Sequence, residues 1–582
     1  MERLAMTRNG SIWMLTAALA LSGLATPAHA QQVSEARIRE LIKQASEQVA
    51  NGQTTAPPGG VTQIQTASAN GDTRPAVRLT LDDAVKAALD RNLDIAVQRL
   101  NPEINDIAYA SIASVYHPNL TSTIGPQSAS VLPTNQTTLG SAGSATPVTD
   151  TMTFNGGVAQ NIPWGGGAFT ASLNNFKRTS TVNTVTYNPL FQSTWSLAYV
   201  QPLLRNFSID STRQQLLITK LSRDISDVQL RATITNTLSN VRNAYWDYVF
   251  AIESVDVAKQ SVALATQLVK DNQTRVEVGT MAPIDVVQAQ SQAATQQQNL
   301  VTVQGAMRTA ELALKRLIVS GTQDPNWNVR IDPTDRPDFR AEPIDIEAAV
   351  RRALSERTDV EIAKKTVAQN DVTLKFLGNQ LKPQVDLQAN YGFQGLGGPQ
   401  LLKSTTQLGG SNTTIVPGGI GDTFNTLFTN AYPTWTAQLV VSYPLGLSTQ
   451  KANVSRARVQ ISQVQAQLKQ IELQVATDVP NAAINVQSGV ERVQASQAAR
   501  EFAQKTLEAE QSKFEVGMST NYNVILAQRD LATAQSNELQ SVLNYRKSLV
   551  ELERLQQTTL QTLNITVLSV TGGATATRAP GQ

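Results

Sequence analysis

The sequence predicts an α+β membrane protein built as two copies of one unit, each joining a short β-strand region to a very long antiparallel helical hairpin. Three observations carry this. First, residues 81–120 match residues 346–385 at a constant offset of 265 without a gap: Ala84, Val85, Ala88, Leu89, Asp94, Asn105, Asp106 and Pro118 recur as Ala349, Val350, Ala353, Leu354, Asp359, Asn370, Asp371 and Pro383. Further matches follow in the same order, Val200-Gln-Pro-Leu203 against Ser442-Tyr-Pro-Leu445 and Glu277-Val-Gly279 against Glu515-Val-Gly517. Second, Ser211 to Val278 contains neither proline nor glycine and repeats apolar residues every seven positions. Third, the strand regions alternate apolar with polar residues.

Residues 1–30 read as a secretory signal: Arg3 and Arg8, the apolar run Ile12 to Ala25, then Ala28-His29-Ala30 before Gln31. A single membrane anchor is the alternative, but the run falls short of the roughly 18–20 residues that a spanning helix needs. Residues 31–76, with Pro57-Pro-Gly-Gly60, form an extension without an assigned role, expected to be partly flexible. The first unit covers 77–320 and the second 344–563; 321–343 is read as a linker and 564–582 as a flexible tail. Each unit opens with a helix, about Thr80 to Tyr116 or about Asp345 to Leu381, stopped by Pro118 or Pro383 because proline lacks a donor and disfavours helix in the residue before it.

The strand regions are expected at about 119–203 and 384–445. Val385, Leu387, Ala389, Tyr391 and Phe393 alternate with Gln384, Asp386, Gln388 and Asn390; Trp435, Ala437, Leu439, Val441 and Tyr443 alternate with Thr434, Thr436, Gln438 and Ser442; Trp195, Leu197 and Tyr199 repeat the pattern. A half-buried soluble sheet would look similar. Strands of about ten residues with aromatics toward their ends match a lipid-facing barrel strand. Two strands per unit give four per chain, too few to close a barrel, since the smallest have about eight. An open edge cannot sit in lipid, so such a barrel is shared between subunits. An additional candidate hairpin has Phe154, Val158 and Ile162 before Pro163-Trp-Gly-Gly-Gly167, and Phe169, Ala171 and Leu173 after it; it is read as part of an external loop. Ser128–Asp150 and Gly395–Asn430, rich in Gly, Ser, Thr and Asn, read as long surface loops.

The helical hairpins are expected at 211–319 and 448–563, with tips near 279 and 517. In the first, Val241, Tyr248, Val255, Val262, Val269 and Val276 recur every seven residues, with Leu238, Tyr245 and Ile252 completing the spacing early on. Roughly 68 residues make a rod on the order of 100 Å long. The second copy matches it in length but carries Pro480, which is expected to kink it or adjust its packing. Gly279 and Gly517 end the outgoing helices, and Pro283 begins a returning one.

Composition narrows the function. Lys and Arg total 48 against 46 Asp and Glu, giving no basic footprint for nucleic acid. There is no cysteine, and only His117 remains once His29 is cleaved away, so no metal site, cofactor or thiol chemistry is expected. No P-loop, His-Glu-x-x-His or histidine triad supports an exported enzyme. A stand-alone porin is disfavoured because most of the chain is long helix, and an exported structural coiled coil leaves the strands unexplained. The 16% of charged residues leaves a large neutral polar share, as a water-filled tube requires.

The paired tips, with Val-Gly followed by Asp285-Val-Val-Gln-Ala289 or Asn523-Val-Ile-Leu-Ala527, the strand entry Lys382-Pro-Gln-Val-Asp-Leu387, the exits Gln201-Pro-Leu-Leu204 and Ser442-Tyr-Pro-Leu445, and the duplication resemble the TolC-type outer-membrane efflux protein family over about residues 78–563. The resemblance implies a homotrimer in the outer membrane of a Gram-negative bacterium, a twelve-stranded barrel in outer-membrane lipid continuing into a periplasmic helical tunnel. Its partners would be a periplasmic adaptor protein and an inner-membrane pump of RND or ABC type, with the channel itself a passive conduit. Val278, Gly279, Thr280, Val516, Gly517 and Met518 match the adaptor-contacting tips. Asp285, Asn523 and Leu526 fall at the entrance gate, where family members often carry acidic rings. Asp285 has a second reading, as a helix N-terminal acid favoured by the dipole.

Overall fold

The computed structural model describes residues 74–130, 148–181, 185–336, 339–341, 343–403, 413–443, 445–446, 448–566 and 577–578. The signal sequence, most of the extension and most of the tail lie outside the described residues. Six long strands form one antiparallel sheet: β2 (Asn119–Ser130), β3 (Val148–Asn161), β4 (Ala168–Ser180), β5 (Leu190–Pro202), β7 (Gln384–Gly397) and β10 (Pro433–Ser442), in the spatial order β10-β7-β5-β4-β3-β2. The pairing register sorts their side chains cleanly. Leu120, Val158, Ala171, Leu197, Tyr391 and Trp435 face one another in a single row across all six strands. The adjacent row reads Thr121, Gly157, Ser172, Ser196, Gly392 and Thr434. Because successive residues of a strand point to opposite faces, the sheet has one apolar and one polar face.

This corrects two expectations. The hairpin around Pro163-Trp-Gly-Gly-Gly167 is not part of an external loop, because β3 and β4 are paired on both sides between β2 and β5. Among the described residues the large sheet therefore has six strands, not four. The physical reason is visible in the residues: Met152, Phe154 and Val158 in β3, with Phe169, Ala171 and Leu173 in β4, keep the two-residue alternation of their neighbours and fall on the same face. The stretch Gly395–Asn430 is also more ordered than a loop. It holds the short pair β8 (Gln400–Lys403) and β9 (Thr413–Val416) and the helix α7 (Ile420–Phe428). That helix lies so close on β7 that a Cβ on Gly395 would stand 2.0 Å from the carbonyl oxygen of Thr423.

The opening helix of each half is broken in two. The first divides into α1 (Leu81–Arg91) and α2 (Leu93–Ala113), the second into α5 (Ile346–Glu356) and α6 (Thr358–Asn379). Asn92 makes the first break: its side chain accepts from the backbone of Asp94 and Ile95 and donates to the carbonyl of Leu317, and such local bonding competes with helix continuation. At the second break Arg357 adopts extended backbone geometry between the two helices. Two long hairpins follow the strand regions, α3 (Ser211–Glu277) with α4 (Pro283–Ile318), and α8 (Ser448–Glu515) with α9 (Asn521–Leu555). Helix α8 runs on through Pro480. No described helix is long and apolar enough to cross a membrane.

One core gathers Leu238, Val241, Tyr245 and Tyr248 of α3 with Ala84, Val85, Ala88 and Leu89 of α1 and Leu314 and Ile318 of α4. Strands β1 (Ala76–Leu79) and β6 (Arg330–Pro333) pair in parallel beside it, so the segment between the halves contains a strand. Tyr245 donates to the carbonyl of Leu79 at 3.1 Å and Tyr248 to that of Ile331 at 2.6 Å, tying both strands to α3. A second core joins Val475, Val479, Ala483, Val486 and Val493 of α8 to Tyr545 and Leu552 of α9 and to Ala349, Ala353 and Val360. Lower on α3 the expected seven-residue stripe turns: Val262, Val269 and Val276 are half-buried, whereas Ala258, Ala265, Leu268 and Asn272 are buried. There the second hairpin contributes the neighbours of α3. A short helix α10 (Thr559–Thr562) and the pair β11 (Ile565–Thr566) and β12 (Thr577–Arg578) end the described chain.

Candidate functional site

Both hairpins reverse through the same backbone device. At the end of α3 the amide of Gly279 donates to the carbonyl of Val276 at 3.0 Å, and that of Thr280 to Arg275 at 2.9 Å. At the end of α8 Gly517 donates to Phe514 at 3.2 Å and Met518 to Lys513 at 2.8 Å. These paired bonds satisfy carbonyls that a helix end otherwise leaves open. They require a left-handed residue, and the two glycines supply it with φ of 77° and 79°. A Cβ on either glycine would meet nothing within 4 Å, so backbone handedness and not crowding selects glycine here.

The returning helices start differently. Helix α4 begins on Pro283, whose missing amide is one that the first turn leaves unpaired anyway. Helix α9 begins under Thr520, whose hydroxyl accepts from the amide of Asn523.

The two turns, some 240 residues apart in sequence, lie side by side. Buried Asn272 donates to the side chain of Asn521 at 2.8 Å, and Asn521 donates to the backbone carbonyl of Asp285 at 3.1 Å. Arg275 donates to the carbonyl of Phe514 at 2.9 Å, and its guanidinium sits 4.3 Å from the centre of the Phe514 ring. Beneath them Leu268, Ala289, Leu507, Phe514, Val524, Ala527 and Leu531 form a small core. Outward the turns present apolar side chains: Val278 is 67% exposed, Val516 71%, Met518 79% and Tyr522 65%. On the outer side Lys513 and Ser519 both donate to Glu510 and hold its carboxyl below the usual range.

The six tip residues matched from the sequence thus fall in two adjacent turns. The gate candidates differ in their surroundings: Asp285 engages the second turn through its backbone carbonyl, Asn523 is exposed and donates to Ser519, and Leu526 is half-buried. Hydrogen bonds among the described residues join none of these three side chains to another. Sequence reasoning missed Asn272 and Arg275, which fasten the turns together. A polar residue at a buried helix position is the signal that marks Asn272. Among the described residues no group of three or more metal-ligating side chains is close enough to hold an ion.

The overall architecture is that of known outer-membrane channels. The Campylobacter jejuni CmeC outer membrane channel is 14% identical, with 82% of this chain and 85% of that chain covered at a TM-score of 0.56. The outer membrane protein VceC of Vibrio cholerae is 14% identical over 82% and 95% at 0.56, and the open state of the Neisseria gonorrhoeae MtrE outer membrane channel is 15% identical over 82% and 88% at 0.54. At these identities the likeness speaks for the fold. A comparison with curated proteins finds no match. Residues 174–319 and 349–556, together more than half of the chain, match the profile described as outer membrane efflux protein, so the chain belongs to the outer membrane efflux protein family.

Proposed function

We propose that three copies of this chain form the outer-membrane exit duct of a tripartite export system, a passive conduit for cargo delivered by an inner-membrane pump of RND or ABC type through a periplasmic adaptor. The observation that carries this reading is the sheet: one apolar face, one polar face and two edges without a partner strand among the described residues, continued by helical hairpins about 100 Å long. Lipid accepts an apolar face but no unpaired strand edge, so the sheet needs further copies to close, with its polar face lining water. The paired series of helices and the recurrence of matching residues 265 positions apart support an internal duplication, which gives each chain two equivalent hairpins. The long helices then pack as an antiparallel coiled-coil tunnel crossing the periplasm, and residues 1–30 direct export.

In this reading Val278, Gly279 and Thr280 with Val516, Gly517 and Met518 contact the adaptor, since the apolar side chains of Val278, Val516 and Met518 project from a mutually braced pair of turns. Asp285, Asn523 and Leu526 line the entrance. Detergent-purified protein is expected to have the mass of three chains and to conduct ions as single channels in planar bilayers; a water-soluble monomer overturns the reading. Charge or bulk introduced at Gly279 or Gly517 is expected to abolish export while leaving trimers intact, and unchanged export in both variants refutes the tip assignment.

A further inference from the structure

We infer that the barrel closes with eighteen strands, all six strands of each of three copies crossing the membrane and β2 of one copy pairing with β10 of the next. This rests on the trimeric duct proposed above and departs from the twelve strands that the family resemblance implies. The added strands are β3 and β4, and four features place them in the wall.

Their length suits it, since they contain 14 and 13 residues, beside 12 to 14 in β2, β5 and β7 and 10 in β10, where about 9–11 suffice to span. Their facing suits it as well. Phe154 stands opposite Ile124, Val158 opposite Ala171, and Leu173 opposite Trp195, so the apolar face continues through both strands in the middle of the sheet and gives way to Asn175 and Lys177 toward its far end. A hairpin held in water gains nothing from that continuity.

Their turn lies at the helical end of the sheet. Gln160 donates to the carbonyl of Tyr116 and Asn161 to that of Val115, both at 3.2 Å, just past the end of α2. Gln201, at the end of β5, donates to the carbonyl of Gly165 within the turn at 2.8 Å. The hairpin therefore traverses the same height as β2 and β5 and returns to the level where the helices begin.

The fourth feature is backbone pairing. β3 and β4 stand between β2 and β5, and lifting them out would expose the inner edges of both, each unpaired group costing several kcal/mol in lipid. Among the described residues the strands that keep an unpaired edge are β2 and β10. β2 runs away from the helices and β10 runs back toward them, so a second copy laid edge to edge continues the antiparallel order, as an even strand number demands. Circumference grows with strand number, so this barrel is about one and a half times as wide as a twelve-stranded one at equal tilt, in the range of the water-filled porins. The membrane-embedded section then imposes no constriction on cargo, and selection by size falls to the helical part.

The test is electron cryo-microscopy of the full protein in lipid nanodiscs, with strands counted in cross-section. A three-fold particle with eighteen strands is the expected result. A three-fold particle with twelve strands and the 148–180 hairpin outside the wall overturns this inference and leaves the export reading standing. A particle without three-fold symmetry overturns the reading beneath it. Because the sequence has no cysteine, single substitutions provide a second readout in intact outer membranes. A membrane-impermeant maleimide is expected to label Thr153→Cys and Asn155→Cys on the polar face, and to spare Phe154→Cys and Val158→Cys on the apolar face. Uniform labelling of all four overturns the assignment of β3 to the wall.

Discussion

The first and second halves of the chain share four helices of matching length and differ in their strands. Helices α1 and α5 both contain 11 residues, α2 and α6 contain 21 and 22, α3 and α8 contain 67 and 68, and α4 and α9 contain 36 and 35. The first half nevertheless supplies β2, β3, β4 and β5 to the large sheet, and the second only β7 and β10. The difference teaches which parts are coupled. Each added residue moves a helix end by about 1.5 Å, so an insertion of several residues in one hairpin would separate Asn272 from Asn521 at the turns. Strands added as a hairpin return the chain to its starting level and preserve the alternation of faces. Length is fixed where two elements must meet at both ends, and free where an insertion closes on itself.

The cores of the halves differ in kind as well, and the largest expected effect lies there. Tyr248 is buried with Tyr245 and Trp246 in the first core, whereas the long helix α8 gives the second core Val479, Ala483 and Val486. Tyr248→Ala is expected to cost about 3–5 kcal/mol, and Val486→Ala about 2 kcal/mol, read by denaturant unfolding followed by circular dichroism. Equal losses would show that the aromatic core carries no extra weight. Next come the residues that precede the two turns. Arg275→Ala loses a carbonyl partner and a ring contact and is expected to cost about 1–2 kcal/mol. The equivalent Lys513→Ala, whose exposed amine pairs with Glu510, is expected to leave the unfolding midpoint unchanged. A measurable loss in the lysine variant would make the two turns more alike than their side chains imply.

Smaller again, Gly279→Ala and Gly517→Ala are each expected to cost about 1–2 kcal/mol through the left-handed backbone alone. Unequal costs would reveal that one turn relaxes where the other does not. The gentlest perturbation is alkali. Burial pushes the hydroxyls of Tyr245 and Tyr248 well above the ordinary value near 10. The folded state therefore holds those protons more tightly than the unfolded chain does. Stability from this source is complete below the ordinary tyrosine range and declines as pH rises through and beyond it. Absorbance titration of tyrosinate is expected to leave the two groups protonated until unfolding; ordinary titration of every tyrosine would contradict their burial.

Much of this architecture was legible in local sequence. Pro118 and Pro383 mark where helix gives way to strand, Gly279 and Gly517 mark the reversals, and Trp195, Leu197 and Tyr199 declare their face by alternation. Less legible was whatever depends on a side chain's choice of partner. Asn92 breaks a helix because its amide bonds to nearby backbone, whereas the apolar periodicity around it reads as one continuous helix. β3 and β4 show the right alternation, but a glycine-rich turn after Pro163 looks the same in a loop as between paired strands. Asn272 and Arg275 could not be singled out, since their partners Asn521 and Phe514 are more than 230 residues distant. Such contacts exist only once both hairpins have formed.

The open space around the two turn glycines has a consequence for chemistry at those positions. A mirror-image residue prefers the backbone region that ordinary side chains avoid, and nothing within 4 Å of either position would collide with its Cβ. D-alanine at Gly279 or Gly517, installed by semisynthesis, should therefore fit the folded turn while restricting the unfolded chain, and so stabilise what L-alanine weakens. What the turns demand of their sequence is a chirality, which the genetic code can meet only with its one achiral residue.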